Sequence, residues 1–364
     1  MTYTAGIIGA GGIAGMGILG MHDREKIGKE KVRASHAGGY YENEDIELVA
    51  VADVDESKLE RFSEAWDLSE DRCYSSHEEM LRAEDLDVIS VCTPTFLRSE
   101  HVTDAVEIGN PSLIWCEKPI ASSVSDARAM TELCEENGIE LLINHSFRFT
   151  DKLRHLRSLI RDEGILGEIH AVSTQFRMEL LRNSTHLLDT LVFLLDARPK
   201  KVSGFLTEEN EAVDALESGR PVTDSGGGGF VIFDDDTFAS IDCTVPREPS
   251  SMTIQIIGEE GKLYLNNDDG EWRYWTNDAG THIEEGLSGI DGAWTWDEDY
   301  RNAFPNAVDH IIEVLENEEE NYSSAIEATR SLEIIVGFYI SHYMESHVRI
   351  PLDEPLEALE VTSW

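Results

Sequence analysis

The sequence predicts an α/β domain built on a doubly wound parallel sheet, followed by an α+β domain with a large, mostly antiparallel, open-faced sheet. Three observations support this fold class. Short apolar strands alternate with amphipathic helices through the first 145 residues, a glycine-rich turn follows the first strand, and strands dominate from about residue 200 to 275. The length of 364 residues fits about two domains. We place them at 1–146 and 147–364.

The first domain is predicted from strands that alternate with helices. The expected strands are Ala5–Ile8, Glu47–Ala52, Val88–Cys92, Ser112–Cys116 and Glu140–Asn144. The amphipathic stretches between them include Glu56–Trp66, His101–Ile108 and Ser125–Asn137. Because parallel strands need a crossover connection, usually a helix, this alternation predicts a parallel sheet.

The pattern changes after residue 144, where the second domain begins with a helix and a glycine turn at 164–167. The strands expected in this domain are Glu168–Phe176, Gly226–Phe233, Thr237–Val245, Met252–Ile257, Lys262–Leu265 and Val348–Leu352. The helices expected are Lys152–Asp162, His186–Leu195, 303–317 and 323–345. Acidic or glycine-rich turns between neighbouring strands favour hairpins and hence antiparallel pairing.

The chain is strongly acidic. Its 72 Asp and Glu residues exceed its 29 Lys and Arg residues, which gives a formal net charge of −43. Self-repulsion of this size would destabilise a compact fold at low salt, whereas molar salt shortens the Debye length to about 3 Å and screens the repulsion. The composition therefore predicts a source with a salt-rich cytoplasm, such as a halophilic archaeon. It argues against nucleic-acid binding, because phosphate affinity needs a basic surface.

Other features bear on the compartment and on metal binding. No run approaches the 18 apolar residues of a membrane span, and the chain opens on an apolar strand rather than on a leader sequence. We therefore expect a cytoplasmic protein without a membrane partner. The five cysteines are odd in number and form no C-x-x-C pair, which is typical of reduced, buried thiols. We expect no metal site.

A glycine-rich motif, Gly9-Ala-Gly11-Gly12-Ile13-Ala14, follows the first strand and opens a helical stretch. In a G-x-G-x-x-A pattern, Gly9 makes the tight turn, Gly11 lets the backbone approach a pyrophosphate, and Ala14 allows close packing of helix and strand. The first N–H groups of the helix, from Gly12 and Ile13 onward, would bind the anion. This strand–turn–helix context predicts a Rossmann dinucleotide-binding domain, although glycine turns also occur for structural reasons alone.

Asp53 ends the second strand, where dinucleotide-binding folds place an acid for the ribose hydroxyls. A carboxylate at this position accepts from the hydroxyls and repels a 2′-phosphate, so the predicted cofactor is NAD rather than NADP. Gly11 and Asp53 are 42 positions apart, whereas about 20 is usual. We attribute the excess to an insertion at about 15–33, which either lies beside the cofactor cleft or forms a salt-tolerant surface segment.

Two further loops follow strand ends, where the ligands of doubly wound sheets bind. One contains Thr93 and Pro94, and the other contains Glu117, Lys118 and Pro119. We predict that Thr93, Pro94, Glu117 and Lys118 contact the cofactor.

The order and spacing of these motifs identify a family resemblance. The motifs that carry it are, in chain order, the N-terminal G-x-G-x-x-A strand, Thr93-Pro94, Glu117-Lys118-Pro119, Asn144-His145, Arg148-Phe149, Gly164-Ile-Leu-Gly167, Thr185-His186-Leu-Leu-Asp189 and Val348-Arg-Ile-Pro351. Over essentially its whole length the chain resembles the Gfo/Idh/MocA family. The resemblance implies an NAD(P)-dependent oxidoreductase that acts on a sugar, an inositol or a derivative of either.

Two residues are predicted to be catalytic, Lys118 and His186. Oxidation of a secondary alcohol needs a base for the hydroxyl proton and a hydride acceptor over the reacting carbon. Lys118 stands at a strand end in an apolar setting, where its side chain can polarise or deprotonate the hydroxyl. The resemblance implies that His186 is the second-domain histidine that faces the substrate hydroxyl, and a neutral imidazole suits proton transfer near pH 7. Asp189, one helical turn later, is placed to orient His186.

The chain departs from the family pattern at Arg182, where commoner members have an aspartate four residues before the histidine. The catalytic set that the resemblance implies is therefore incomplete. Arg182 is expected either to pair with a protein acid, Asp189 or Glu179, or to bind a substrate anion together with other arginines. We favour the protein pair, because an unpaired buried cation is costly. The predicted substrate-binding residues are Arg148, Gln175, Arg177, Arg182, Asn183 and Asp189.

Two classes of function stay open. The first is an NAD-dependent dehydrogenase of a neutral sugar or cyclitol, or else of an acidic sugar. The second is a dinucleotide-binding sensor or regulator without turnover. The presence of Lys118 and His186 favours the enzyme. The large sheet carries helices on one side only, which predicts a homodimer or homotetramer that covers its other, apolar face.

Overall fold

The structure, a computed structural model, describes residues 2–17, 32–207, 218–246, 252–267 and 270–363. The chain forms two compact units. The first comprises Met1–Ala121, Ala127–Thr150 and Tyr300–Ile326, and the second comprises Ser122–Asp126, Asp151–Asp299 and Glu327–Trp364. Most of the predicted insertion at about 15–33 lies outside the described residues.

Among the described residues, six parallel strands form the sheet of the first unit. In chain order they are β1 (Tyr3–Ile8), β2 (Ile46–Ala52), β3 (Cys73–Tyr74), β4 (Val88–Val91), β5 (Leu113–Glu117) and β6 (Glu140–Asn144). Their order in the sheet is β3-β2-β1-β4-β5-β6, which is that of a Rossmann domain with its switch point between β1 and β4. Strands β4 and β5 are buried along their whole length, as parallel strands covered on both faces should be.

Helices connect these strands. They are α1 (His36–Glu42), α2 (Glu56–Trp66), α3 (His77–Ala83), α4 (Arg98–Asp104) and α5 (Val124–Glu136). Helix α2 shows how the sequence sets such an element. The side chain of Asp55 accepts the N–H of Ser57 at 3.0 Å and caps the helix. Leu59, Phe62 and Trp66 recur at helical spacing and are buried together on one face.

In the part of the second unit that the structure describes, nine strands form one sheet. In chain order they are β7 (Ile169–Arg177), β8 (Pro199–Leu206), β10 (Gly227–Phe233), β11 (Phe238–Val245), β12 (Met252–Gly258), β13 (Gly261–Asn266), β14 (Glu271–Asp278), β15 (Thr281–Glu285) and β16 (Val348–Arg349). Their order is β15-β14-β13-β12-β7-β11-β10-β8-β16, and β7 and β11 pair in parallel within an otherwise antiparallel ladder. Strands β9 (Val222–Thr223) and β17 (Val361–Thr362) pair separately. The predicted fold class is confirmed.

Within the described residues, four more helices follow: α6 (Asp151–Arg161), α7 (Thr185–Leu195), α8 (Arg301–Leu315) and α9 (Ala325–Tyr343). Helix α7 is apolar and almost wholly buried, and it packs against α6. Within the described ranges, no helix combines the length and the apolar character needed to cross a membrane.

Residues 300–326 belong to the first unit, although they follow the second-unit sheet in the chain. Helix α8 packs against α1 and against the short helical turn Ser146–Phe149. After α8, the hydroxyl of Ser323 donates to the carbonyl of Ile143 at 2.6 Å, and the N–H of Ile143 donates to the carbonyl of Ser323 at 2.8 Å. The two compact units therefore do not correspond to a single boundary at residue 146, because residues 300–326 pack on first-unit elements.

The ends of the second-unit sheet also differ from the prediction. Strand β15 continues the sheet beyond residue 275, where strands were expected to stop. The predicted last strand, Val348–Leu352, is paired only over Val348–Arg349. Pro351 has no N–H with which to extend the ladder, which accounts for the shorter strand.

Candidate active site

The glycine-rich turn after β1 has the geometry that the motif predicts. Gly9 has φ +99°, a conformation that L side chains rarely adopt, and a Cβ there would lie 3.1 Å from Cγ2 of Thr93. The N–H of Gly9 donates to the carbonyl of Ala52 at 2.7 Å, which ties the turn to the end of β2. Around Gly11, in contrast, a Cβ would meet no atom within 4 Å. The backbone at Gly11 is therefore accessible to a ligand, as a pyrophosphate site requires.

The turn also packs closely at Gly15, the residue after the buried Ala14. The motif continues as a five-residue helical turn, Gly12–Met16, in which Ile13 is partly exposed and Ala14 is buried. A Cβ at Gly15 would lie 2.4 Å from Nε1 of Trp66, and this indole donates to the carbonyl of Gly15 at 3.1 Å. The described helical turn has only five residues, so it offers the N–H groups of a single turn to an anion.

Asp53 lies beside the glycine-rich turn. Its Oδ2 accepts the N–H of Ala10 at 2.8 Å, and its Oδ1 accepts the N–H of Asp55 at 2.9 Å. These bonds fix the carboxylate at the carboxyl end of β2. The Nζ of Lys58 lies 3.5 Å from Oδ2, so a cation lies beside the acid that was predicted to repel a 2′-phosphate. Gly11, with its open backbone, and this fixed carboxylate fit the pyrophosphate and ribose of a dinucleotide.

The two predicted loops at the ends of β4 and β5 are held together by Arg98, which the sequence did not single out. Its Nε donates to the carbonyl of Thr93 at 3.1 Å, and its Nη1 donates to the carbonyl of Pro119. The hydroxyl of Thr93 is also hydrogen-bonded to Nδ1 of His101 at 2.9 Å. Pro94 is exposed at the tip of its loop.

Glu117 is buried at the end of β5 and has two side-chain partners. Its Oε1 accepts from Nδ2 of Asn144 at 2.5 Å and lies 3.1 Å from Nε2 of His36. Burial alone would raise the pKa of Glu117, but the hydrogen bond from His36 and the nearby Lys118 and Arg98 charges bring that pKa below its usual value. Glu117 is thus an ionised group held inside the first unit. The neighbouring Lys118 is half-buried.

In the second unit, His186 lies in the first turn of α7 and is half-buried. Its carbonyl accepts from the hydroxyl of Thr190 at 2.7 Å. Asp189, one turn after His186, is 1% exposed. Lys118 belongs to the first unit and His186 to the second.

Arg182 is exposed, and its pairing with Asp189 or Glu179 stays a prediction. The backbone turn around it is held by an acid that the sequence did not indicate, Asp224. The Asp224 carboxylate accepts the N–H groups of Leu181 and Arg182, each at 2.9 Å, and the hydroxyl of Tyr339 at 3.1 Å. Burial raises the pKa of Asp224, although these hydrogen bonds oppose the shift.

Three other predicted substrate-binding residues make contacts inside the protein. Arg148 is 1% exposed, and its Nη1 donates to the carbonyl of Tyr322 at 2.6 Å. The side chain of Asn183 donates to the carbonyl of Met178 at 2.9 Å. The guanidinium of Arg177 lies 5.4 Å from the ring centre of Phe176.

Gln175 is exposed on the second-unit sheet, on the same face of β7 as Arg177. Its Nε2 donates to Oδ2 of Asp242 at 3.2 Å, across neighbouring strands β7 and β11. This placement gives Gln175 a cross-strand role on the sheet surface.

One group of described side chains has metal-ligand chemistry. A nitrogen of His310 and carboxylate oxygens of Glu313 and Glu319 lie within 4.8 Å of one another. His310 is already hydrogen-bonded to Glu319 at 3.0 Å, and both carboxylates are exposed. These contacts are those of an ion pair or hydrogen bond at a helix end, and they do not by themselves indicate a metal site.

The chain is similar to known proteins of one family. It matches the Gfo/Idh/MocA oxidoreductase family, NAD-binding Rossmann fold, over residues 3–145, and the C-terminal alpha/beta domain of the same family over residues 158–350. It is 27% identical over 258 residues to D-apiose dehydrogenase of Paraburkholderia graminis, which covers 64% of each chain. It is 26% identical over 213 residues to D-xylose 1-dehydrogenase (NADP+) of Haloarcula marismortui, which covers 52% of this chain and 56% of that relative. The chain therefore matches less than two thirds of the length of these relatives.

Its fold is similar to that of the WlbA dehydrogenase from Bordetella pertussis, solved in complex with NADH and UDP-GlcNAcA. The two share a TM-score of 0.73 and 18% identity, over 97% of this chain and 100% of the other. At this identity the likeness concerns the fold alone. The two family matches, which together span most of the sequence, show that the chain belongs to the Gfo/Idh/MocA oxidoreductase family.

Proposed function

We propose that the chain is an NAD-dependent oxidoreductase that transfers hydride between a secondary alcohol of a sugar, sugar derivative or cyclitol and the nicotinamide. The observation that carries this proposal is the carboxyl edge of the first-unit sheet. There Asp53 is hydrogen-bonded to the glycine-rich turn, the backbone of Gly11 is open, and the Glu117-Lys118 loop is tied to the Thr93 loop through Arg98. Ligands of doubly wound sheets bind at this edge.

The cofactor would be held by residues of this edge. Asp53 would accept from the ribose hydroxyls, and Gly11 and Gly12 would present backbone to the pyrophosphate. A bound NAD would supply the nicotinamide as hydride acceptor or donor. Lys118, half-buried next to the ionised Glu117, would hydrogen-bond the substrate hydroxyl and take up or return its proton. His186 is the proposed second proton-transfer group, on the first turn of α7.

The proposed substrate class is neutral. The D-apiose and D-xylose dehydrogenases that the chain resembles are named for neutral sugars. Arg148 is buried and donates to the carbonyl of Tyr322, so this contact does not call for a substrate anion. A sugar or cyclitol without a carboxylate or phosphate is therefore the leading candidate.

An NADH-fluorescence screen against sugars, uronates, aldonates and inositols tests the proposal. The buffer contains molar KCl, because the net charge of −43 makes the chain repel itself at low salt. A titration with NAD and NADH comes first. Binding together with turnover of a neutral polyol, lost in Lys118→Ala, is the expected result. Binding of NAD without turnover of any compound would favour the sensor, and no binding of either cofactor would refute both functions.

We also propose that the protein works in a salt-rich cytoplasm and assembles through the second-unit sheet into a homodimer or homotetramer. Phe205, Phe230 and Phe238 are 48%, 50% and 41% exposed on three neighbouring strands, and the rings of Phe230 and Phe238 stack at 5.2 Å. Large exposed aromatic groups that lie together are typical of an interface. Light scattering in molar KCl should show an even-numbered oligomer, and Phe230→Asp should shift it toward monomer. A wild-type monomer would contradict the proposed assembly.

Dilution into low salt provides the matching test of salt adaptation. Repulsion among 43 excess negative charges is screened at molar salt and becomes effective below about 0.1 M. We expect the oligomer to dissociate or the chain to unfold on dilution, as followed by light scattering and circular dichroism. Unchanged assembly and folding at low salt would contradict the adaptation.

A further inference from the structure

The first unit contains a buried histidine for which the proposed function gives no role. His36 opens helix α1 and is 0% exposed. Its Nδ1 lies 2.9 Å from Oγ of Ser90 in β4, and its Nε2 lies 3.1 Å from Oε1 of Glu117 at the end of β5. Asn144, at the end of β6, donates to the same oxygen of Glu117 at 2.5 Å. One imidazole thus links a helix to two neighbouring strands at the edge where the cofactor is proposed to bind.

The hydrogen-bond partners assign a direction to this chain of contacts. Glu117 is ionised and can only accept, so Nε2, the His36 ring nitrogen that faces it at 3.1 Å, carries the proton. Nδ1 of His36 then accepts from the Ser90 hydroxyl at 2.9 Å, and Oγ of Ser90 in turn accepts from the hydroxyl of Tyr40 at 2.7 Å. This leaves the His36 proton on Nε2, from where it points to Glu117.

The charge states agree with that direction. Burial lowers the pKa of His36, which keeps the imidazole neutral, and Glu117 is ionised. A neutral imidazole with one proton on Nε2 can donate to the carboxylate, and the Ser90 hydroxyl occupies Nδ1. An ionised carboxylate that is 5% exposed needs such donors, because a buried charge without hydrogen bonds is strongly unfavourable.

We propose that His36 is a positioning residue, which holds the Glu117 carboxylate through Nε2–H and so fixes the loop that carries Lys118. The inference rests on the proposed function, in which Lys118 handles the substrate proton. His36 also packs on Trp115, with ring centres 3.8 Å apart. Packing alone is the competing explanation, and it makes a different prediction for the variants below.

The test compares His36→Gln with His36→Asn. The glutamine amide can place a donor near the position of Nε2, whereas the asparagine amide is one methylene shorter and does not reach Glu117. We expect His36→Asn to lower kcat by about tenfold or more and His36→Gln to stay within about threefold of wild type, with the Kd for NAD changed less than about threefold in both. If packing were the whole role, the two variants would lose thermal stability while keeping the same kcat.

His310→Asn is the matched control. His310 is a second buried histidine of the first unit, 1% exposed, whose imidazole contacts Glu319. The same substitution there should lower Tm without a selective loss of kcat. Equal kcat losses in His310→Asn and His36→Asn would overturn the proposal, because they would show a general effect of removing a buried histidine.

A measurement that needs no turnover separates this inference from the proposed function. In protein with 15N-labelled histidine, the ring signals of His36, assigned from their loss in His36→Gln, should show the neutral Nε2–H tautomer at pH 7. The Nε2 signal should move in Glu117→Gln. A protonated ring or an Nδ1–H tautomer would overturn the hydrogen-bond direction. An inactive wild type that shows the expected tautomer would refute the dehydrogenase while supporting the contact between His36 and Glu117.

Discussion

The carboxyl edge of the first-unit sheet and the start of helix α7 in the second unit were both predicted to hold functional residues, and they are built differently. At the first-unit edge, polar groups such as His36 and Glu117 are buried and satisfied by one another. Around α7, Arg182 is exposed and its backbone is held by Asp224. The difference indicates that the chain fixes its cofactor side through its own interior. Helix α7 keeps Asp189 buried while Arg182 before it is exposed, so the second region combines an interior carboxyl group with a surface guanidinium.

The largest effect should come from the two proposed catalytic residues. Lys118→Ala and His186→Ala should each lower kcat by about a hundredfold or more while the Kd for NAD stays within about threefold, because proton transfer is lost and dinucleotide contacts are kept. Steady-state kinetics and NADH-fluorescence titration measure the two quantities. Normal turnover in either variant on the true substrate would remove that residue from the mechanism. A much weaker NAD affinity in His186→Ala would contradict the assignment of cofactor binding to the first-unit edge.

The next effect concerns cofactor choice at the first-unit edge. Asp53 should make NAD at least about tenfold better than NADP in kcat/KM, which corresponds to about 1.4 kcal/mol of discrimination against the 2′-phosphate. Asp53→Ser should narrow this preference. Lys58, whose Nζ lies 3.5 Å from the carboxylate, partly offsets the negative charge. Lys58→Ala should therefore increase the preference for NAD over NADP. Equal use of both cofactors by the wild type would contradict the role of Asp53.

The buried edge should also make the protein sensitive to acid. The folded pKa of His36 lies below its ordinary 6.5 because of burial, so below pH 6.5 the unfolded chain binds a proton that the folded chain does not. Glu117, with a pKa below its ordinary 4.5, adds the same trend at lower pH. The free energy of unfolding should therefore decrease as the pH is lowered below 6.5. His36 should contribute up to about 1.4 kcal/mol per pH unit to this decrease.

Urea unfolding between pH 5 and 8 at constant molar KCl measures this dependence. His36→Gln removes the titrating group and should flatten the curve below pH 6.5, whereas His170→Gln, at an exposed histidine of the second unit, should leave it unchanged. Parallel curves for wild type and His36→Gln would contradict the neutral buried imidazole.

The smallest effect is expected at Arg182. Its side chain is exposed, so Arg182→Gln should change the free energy of unfolding by less than about 0.5 kcal/mol and leave the order of substrates unchanged. Asp224→Ala is the informative companion, because it removes the acceptor of two backbone N–H groups and should be clearly destabilising. A steep rise in KM for acidic substrates alone in Arg182→Gln would instead assign an anion-binding role to the second-unit surface.

The parts of the site that could be predicted from the sequence are those encoded locally. Gly9 and Asp53 follow apolar strands directly, so their positions at the sheet edge follow from strand order alone. Arg148 could not be placed, because an arginine that binds a carbonyl in the interior and one that binds a ligand look alike in sequence. The close contact at Gly15 was not predicted, because the position of Trp66 on α2 decides which residue meets it.

His36 was missed for a different reason. It is separated from the glycine-rich turn by the long segment before α1, so no local pattern connects it to Glu117, which lies 81 positions away in the sequence. The small residues around it, Ala34, Ser35 and Ala37, were the available signal, since they suit a buried helix start. Contacts between distant strands, rather than residue types, decide such positions.

The return of residues 300–326 to the first unit has a consequence for how the protein is made. A chain emerging from the ribosome in sequence order completes all six strands of the first-unit sheet by residue 144, yet helix α8 and the Ser323 contact with Ile143 are still missing. The first unit therefore cannot finish folding until nearly nine tenths of the protein has been synthesised. A nascent chain released at residue 150 would leave the contact surfaces of α1 and the 146–149 turn uncovered, as substrates for chaperones.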